Sequence, residues 1–315
     1  MLTLAGIVTD LGFLLAIDHC ARGCAHCPAF GDRTPVQRAP LPDLARTVKA
    51  LAAARRTIRT TDRRVVHCWR ISDPLDYVVR LADGRIGTCA DVAELWRTHL
   101  GQGLYVVTNG SEASPIARRA LAQLVDDSGL TSQLKLTITH ADRHFGTPRY
   151  TPQLAADVAI LEPLWKRDST RIEDVNGRRF RINVKTTASR KAEMRAVLHE
   201  VLIGAGLSRA QAVSYCDDPT RVRFKPIYDL GDAAGASSPV AGALDVRRAD
   251  GRRHKPTGGT RRQMQFGIRP DRRLFVVDMY AFTEHDLGDD DQPLIWPEGL
   301  DGIDLHAPLK DLTRA

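Results

Sequence analysis

Short apolar runs alternate with helical patterns along most of this 315-residue chain. The runs with the length of strands are 12–17, 65–71, 104–107, 134–139 and 180–186, with one or two further strands expected in 211–227. The segments with apolar residues at helical spacing are 41–58, 91–100, 114–125, 152–165 and 189–205. Strands that alternate with helices of this length predict βαβ units and a parallel sheet.

The number of these units favours an open barrel. Six units fit into residues 1–235, whereas a closed TIM barrel needs eight. We therefore predict an α/β fold, a partial (β/α)6 TIM-like barrel that forms one domain over residues 1–235. In such sheets the active-site groups lie at the carboxyl ends of the strands.

Residues 236–315 have a different composition. Their first part is rich in small residues and continues into a basic, glycine-containing run at 247–262. We predict that this part is a linker or solvated loop, with a clamp for an anionic substrate as the alternative. The stretch 265–280 then predicts a β-hairpin around the turn PDRR, so that 236–315 form a linker plus a small C-terminal hairpin or cap extension.

Charge and hydropathy indicate which classes of binding partner this chain is expected to have. The 45 Lys and Arg against 38 Asp and Glu give a net charge of +7, a mild excess that favours anionic partners. The basic run at 247–262 lacks the interleaved aromatic residues that stack on bases, which disfavours nucleic acid. The apolar run 11–17 is too short to cross a bilayer and follows no Lys or Arg, so we expect a cytoplasmic protein without a membrane partner.

Three of the six cysteines form the sharpest motif in the chain. Cys20, Cys24 and Cys27 have the spacing C-x3-C-x2-C directly after the first predicted strand. Grouped thiols in a reducing compartment indicate a metal site. Three thiolates on one short loop can hold a [4Fe–4S] cluster and leave one iron open, and an open position is typical of a reactive metal site.

Zinc is the alternative ligand of this loop. It would need a fourth ligand, which His19 or His26 could supply. Zinc motifs usually pair two knuckles, but the remaining Cys68, Cys89 and Cys216 are scattered singly. The iron–sulfur interpretation is therefore preferred.

The cysteine motif and its place after the first strand resemble the radical S-adenosylmethionine (SAM) enzymes. His26 stands before the third cysteine, where that family usually has an aromatic residue. The resemblance implies a [4Fe–4S] cluster whose open iron chelates SAM, and reductive cleavage of SAM to a 5′-deoxyadenosyl radical that abstracts a hydrogen atom from the substrate. It also implies a flavodoxin- or ferredoxin-type electron donor.

Further segments match the family in order along the chain. HCWRISDPLDY resembles the Gly-Gly-Glu-Pro-like segment that holds the SAM amino group, TNG follows the third strand, and FKPIYDLGDA resembles the segment near the adenine. The fourth and fifth strands place polar residues where family members contact SAM, with Thr137 and His140 as alternatives to Thr139. The contact positions that the resemblance implies are His26, Ser72, Asp73, Asn109, Thr139, Asn183 and Tyr228.

Charged and titratable residues near the strand ends add candidates. Arg70 and Lys185 lie on predicted strands, where an unpaired charge is costly, so either could pair with a carboxylate of SAM or substrate. Arg70 is the better SAM candidate because it precedes the SAM-amino segment closely. His140 and His144 flank the end of the fourth strand, and a SAM or substrate contact stands beside a purely structural role for both.

The reaction itself is left open by the sequence. Cys216, expected near the end of the sixth strand, is a candidate hydrogen-atom donor, as in the epimerases of this family, with a structural thiol as the alternative. Epimerisation, rearrangement and dehydrogenation of a small molecule or peptide all fit. The C-terminal hairpin resembles a SPASM or twitch extension without its cysteines, which implies one cluster per chain. The alternative function is a non-catalytic iron–sulfur or zinc scaffold or sensor.

Overall fold

A computed structural model describes residues 2–20, 35–58, 65–69, 72–127, 129–167, 180–226, 264–278, 283–289, 292–298 and 303–307. The strands are β1 (Leu11–Leu14), β2 (Ile17–Asp18), β3 (Gln37–Arg38), β4 (Val78–Arg80), β5 (Ile86–Thr88), β6 (Leu104–Thr108), β7 (Thr131–Thr139), β8 (Phe180–Thr186), β9 (Val222–Pro226), β10 (Met264–Ile268), β11 (Leu274–Asp278), β12 (Thr283–Asp286), β13 (Gly288–Asp289) and β14 (Gln292–Pro293). The helices are α1 (Leu4–Thr9), α2 (Leu41–Thr57), α3 (Cys89–Leu100), α4 (Pro115–Asp126), α5 (Tyr150–Arg167), α6 (Lys191–Gly204) and α7 (Arg209–Asp217), with a 3-10 turn at Pro74–Asp76.

The predicted alternation of strands and helices is confirmed. Strands β6, β7, β8 and β9 form a parallel sheet in that order, and at least one helix separates each strand from the next along the chain. Leu134, Leu136 and Ile138 on β7 and the even-numbered residues of β8 are buried against the helices. There the rings of Trp165 on α5 and Phe180 on β8 lie 4.6 Å apart. The alternation of side chains along a strand then puts the odd-numbered residues on the opposite face.

Residues 65–69 connect this sheet to the first strand. His67 donates its backbone N–H to the Gly12 carbonyl and accepts from Leu14, and Cys68 accepts from Ala16, all at 2.8 Å. Towards β6 the contacts come from a side chain, because Trp69 Nε1 donates to the Tyr105 carbonyl at 2.8 Å. The order β1, 65–69, β6, β7, β8, β9 follows the chain, and no barrel closes among the described strands.

The predicted C-terminal hairpin is confirmed as the antiparallel pair β10 and β11. Strand β10 also pairs parallel with β1, so the hairpin extends the sheet from the first strand. Within the hairpin, the absence of a side chain at Gly267 on β10 leaves room for the ring of Phe275 on β11, since a Cβ at Gly267 would lie 2.2 Å from that ring. Among the described residues, no helix is both long enough and apolar enough to cross a membrane.

Candidate active site at the carboxyl ends of the strands

Hydrogen bonds join the ends of the first three parallel strands. Cys20 follows β2, and its side chain is half-buried. The hydroxyl of Ser72 donates to the Ile17 carbonyl at 3.1 Å, which ties the SDP segment to the start of the cysteine loop. Asp73 then bonds to Thr108 and Asn109 at the end of β6. Predicted site residues from three successive strand ends therefore lie at one edge of the fold.

Asp73 organises this edge. Its carboxylate accepts from the Thr108 hydroxyl at 2.8 Å, from the Asn109 N–H at 2.8 Å and from the Leu75 N–H at 3.0 Å. The side chain also caps the 3-10 turn that begins at Pro74, and the residue is 5% exposed. A buried carboxylate with three donors holds the two backbone segments in a fixed relation.

A second buried carboxylate, which the sequence analysis missed, holds the loop after β6. Asp157 on α5 accepts from the Ser111 N–H at 2.8 Å and from the Ser111 hydroxyl at 2.6 Å. Gly110, Glu112 and Ala113 in this loop all have positive φ, at 102°, 47° and 67°. Two non-glycine residues in this region store backbone strain, and such strain is typical of functional loops.

The end of β7 is fixed by Tyr150. The Thr139 N–H donates to Tyr150 Oη at 3.1 Å, and the tyrosine hydroxyl donates to the Thr139 carbonyl at 2.9 Å. The Thr139 hydroxyl accepts from the Ala141 N–H at 3.2 Å and is buried. Of the three residues proposed for this strand, Thr137 and Thr139 lie on the face turned away from the helices.

His140 and His144 lie just beyond β7. Burial, and to a smaller extent the positive charge of Arg190, lowers the pKa of His140 below its ordinary value. His140 Nδ1 is buried and has no hydrogen-bond partner in the described part of the chain. His144 accepts from Arg143 Nε at 3.1 Å, and Arg143 donates to Glu112 at 2.7 Å, so this group is tied to the strained loop.

Asn183 lies on β8, directly opposite Thr137 on β7 and Arg223 on β9. It is 3% exposed, and its Oδ1 accepts no hydrogen bond among the described residues. A buried acceptor without a donor is costly unless a ligand supplies one. Asn183 is therefore the predicted contact with the clearest free capacity for a bound molecule.

One of the one or two strands expected in 211–227 is present as β9, but the placing of Cys216 near the end of the sixth strand is wrong. Residues 209–217 form α7, which starts at a capping box where Ser208 and Gln211 exchange hydrogen bonds. Cys216 therefore precedes β9 and lies towards its amino end, at the edge opposite to Asp73 and Thr139. Burial raises the pKa of Cys216 to about 11, which favours the neutral thiol. This position does not support the predicted role as hydrogen-atom donor.

The other isolated cysteines lie in the hydrophobic core. Cys68 and Cys89 are fully buried, and burial raises the pKa of both thiols well above its ordinary value. His67, next to Cys68, points to the other face, where its ring meets Tyr105 edge-on at 5.8 Å. The structure therefore assigns the two neighbours to opposite faces of the strand, with the cysteine in the core.

Several predicted site residues lie outside the described residues, namely Cys24, His26, Cys27, Arg70, Tyr228 and the basic run 247–262. Within the described ranges, no group of three His, Cys, Asp or Glu residues is close enough to hold a metal ion. Cys20 is the one member of the cysteine triplet that the description covers. The donor set suits an iron–sulfur cluster chemically, since the triplet supplies three thiolates from eight residues of sequence.

The chain matches no protein-family model, no curated protein and no solved structure. Its activity must therefore be inferred from its own residues. Three features bear on that inference: the position of Cys20 just after β2, the joined strand ends around Asp73, and the unsatisfied acceptor of Asn183.

Proposed function

We propose that this chain is a radical SAM enzyme of the oxidoreductase or isomerase type, with one [4Fe–4S] cluster and SAM as cofactors. Its substrate is a small molecule or a peptide, and a flavodoxin- or ferredoxin-type protein supplies the electron. In this proposal the six parallel units form a partial barrel around the site. Cys20, Cys24 and Cys27 hold the cluster.

One observation carries the proposal. Ile17, three residues before Cys20, accepts a hydrogen bond from the Ser72 hydroxyl near the second strand end, and Asp73 accepts one from the Asn109 N–H at the third. These are the positions at which the sequence resembles the SAM-binding segments of the family. A scaffold or sensor built around a metal loop has no need for polar motifs at successive strand ends.

The chain's own residues have distinct tasks in this site. When bound, the cluster would supply the electron that cleaves SAM reductively. Asp73 holds the SDP and TNG segments together, and its saturated carboxylate suits it for positioning backbone groups. Asn183 offers Oδ1 to a donor on SAM or substrate.

Anaerobic reconstitution with iron and sulfide tests the proposal. We expect about four irons per chain and a broad absorbance near about 400 nm, which is typical of a [4Fe–4S] chromophore. After addition of dithionite and SAM, we expect 5′-deoxyadenosine as the product. Cys20→Ala should lose both the iron and the product. Cys89→Ala is the matched control, because it removes a buried thiol at the first residue of α3 and should leave both unchanged.

The opposite results are equally clear. Binding of about one zinc and no iron, with intact SAM, would overturn the enzyme proposal and favour the scaffold or sensor. Iron binding that survives Cys20→Ala but not Cys89→Ala would assign the metal to a different set of thiols.

A further inference from the structure

The parallel sheet carries five cations on the face turned away from the helices. Lys135 lies on β7, Arg181 and Lys185 on β8, and Arg223 and Lys225 on β9. All five occupy odd-numbered positions, which alternate with the apolar residues buried against α5 and α6. We refer to these five residues as the cationic face.

The register of the strands sets like charges directly opposite each other. Lys135 pairs with Arg181, and Lys185 pairs with Lys225. Like charges in opposite positions destabilise a sheet. Strands β6 to β9 contain no Asp or Glu, so these strands do not neutralise the charge themselves.

The electrostatics of the lysines reflect this crowding. Burial, and to a smaller extent the nearby positive charges of Arg181, Lys225 and Arg223, together lower the pKa of Lys135 to about 8. The pKa of Lys225 is also lowered by burial and by the neighbouring cations. An anion beside either lysine would stabilise its charged form and so raise its pKa.

A ligand can reach four of the five cations of this face, since Arg181 is buried. Arg223 is exposed, and Lys135, Lys185 and Lys225 are half-buried. Lys135 Nζ donates to the hydroxyl of Tyr105 on β6, which marks one side of the face. Asn183 lies between the two like-charged pairs and offers its unsatisfied Oδ1 to a hydroxyl or amine of the same ligand.

A cavity elsewhere on the molecule is less suited to anions. It measures about 560 Å³ and lies between α2 and the turn of the C-terminal hairpin. Its charged lining residues are Arg38, Arg46, Arg272, Asp43, Asp271 and Glu298. Three cations balance three carboxylates there, whereas the cationic face has no carboxylate on its strands.

We propose that the cationic face binds a phosphate ester. A SAM carboxylate brings one negative charge, which one cation can match, whereas a phosphoryl group carries about −1.5 to −2 at neutral pH and offers three acceptor oxygens. Lysine and arginine are the residues that bind such groups. That this ester is the substrate of the enzyme rests on the proposed function.

Calorimetric titration of the full chain with inorganic pyrophosphate tests the site. We expect saturable binding that weakens with salt and is about tenfold weaker in Lys225→Gln and in Arg223→Gln. Lys166→Gln is the matched control, since it removes a lysine that is 72% exposed on α5 and pairs only with Glu162 among the described residues. It should bind like the parent chain.

Three results of the pyrophosphate and citrate titrations would overturn the inference. They are absence of pyrophosphate binding, equal weakening by Lys166→Gln, and citrate binding as tight as pyrophosphate binding, because citrate carries carboxylates alone. Displacement of pyrophosphate by ADP would assign the ester to a nucleotide, and displacement by glucose 6-phosphate to a sugar. Failure of both would also overturn it.

The titration is repeated before and after reconstitution with iron and sulfide, which separates the two proposals. Pyrophosphate binding without SAM cleavage would remove the proposed function and keep the anion site. SAM cleavage without pyrophosphate binding would keep the function and remove the anion site.

Discussion

Arg269 of the C-terminal hairpin donates from Nη1 to Oδ2 of Asp18 at 2.7 Å, two residues before Cys20. The two side chains are 10% and 4% exposed. Arg269 Nε also donates to Asp286 at 2.7 Å, and the guanidinium lies 4.6 Å from the centre of the Phe275 ring. The hairpin is therefore bonded to the point at which the cysteine loop begins, although 251 residues separate the partners.

Replacement of this arginine should destabilise the whole fold. Arg269→Gln leaves the nearly buried carboxylate of Asp18 without its cation, and loss of one partner of a buried pair costs about 3–5 kcal/mol. Chemical denaturation measures this free energy of unfolding. Arg273→Gln is the control, since its ion pairs with Asp271 and Asp286 are a third exposed and should contribute under about 1 kcal/mol. Equal losses in both variants would contradict a special role for Arg269.

We expect Asp73 to stabilise the fold at the strand ends and not to contact SAM directly. Asp73→Asn keeps one acceptor oxygen but turns an amide NH2 towards the donors from Thr108 or Asn109, which should lower the free energy of unfolding by about 2–3 kcal/mol. Asp43→Asn, an exposed carboxylate paired with Arg46, should change it little. Denaturation and SAM titration are measured together. A tenfold loss of SAM affinity with unchanged stability would instead favour a direct contact.

Much of the fold follows from local patterns in the sequence. Alternating apolar runs predict the strands and their parallel pairing, and the PDRR turn predicts the hairpin. The capping box of Ser208 and Gln211 was an available signal for α7, and it explains why Cys216 is helical. Asp157 was also detectable, because it lies on the apolar stripe of α5 between Leu154 and Leu161.

Other features depend on how distant segments meet. Lys185 was singled out as a charge on a strand, but its position opposite Lys225 requires the register of β8 and β9. The bond between Arg269 and Asp18 requires β10 to pair with β1, and hydrophobic patterning does not specify which edge a hairpin joins. Register and edge choice are set by tertiary packing, so single-sequence periodicity does not reveal them.

Replacement of Gly110 by alanine is expected to lower the free energy of unfolding by more than its positive φ alone would cause. A Cβ there would lie 2.5 Å from Asp157 Oδ2, and that carboxylate is held by Ser111. Gly146 has a φ of 78° and nothing within 4 Å of a Cβ, so Gly146→Ala isolates the backbone cost of about 1–2 kcal/mol. Gly110→Ala should cost about 2 kcal/mol more, from overpacking. Equal unfolding free energies for the two variants would show that Asp157 moves freely.

The lowered pKa of Lys135 predicts an unusual dependence of stability on pH. In the folded chain this lysine loses its proton near pH 8, whereas in the unfolded chain it does so near the ordinary value of 10.5. Between these values the unfolded state binds more protons, so the free energy of unfolding contributed by Lys135 rises with pH. Lys135→Met should therefore be more stable than the parent chain at pH 7 and should lose this rise. Denaturation at several pH values measures it.

The comparison between variants removes the contributions of the surrounding groups. Among the described residues, the charged or titratable groups on the same face as Lys135 include His67, Tyr105, Arg181, Lys185, Arg223 and Lys225. The lowered pKa of Lys225 adds its own increase of the free energy of unfolding with pH. Burial raises the pKa of Tyr105, so this residue lowers the free energy of unfolding when the pH exceeds the ordinary tyrosine pKa. Lys166→Met on α5 should keep the parent's slope between pH 8 and 10. If Lys135→Met also keeps that slope, the repulsion among the five cations is already neutralised in the folded chain.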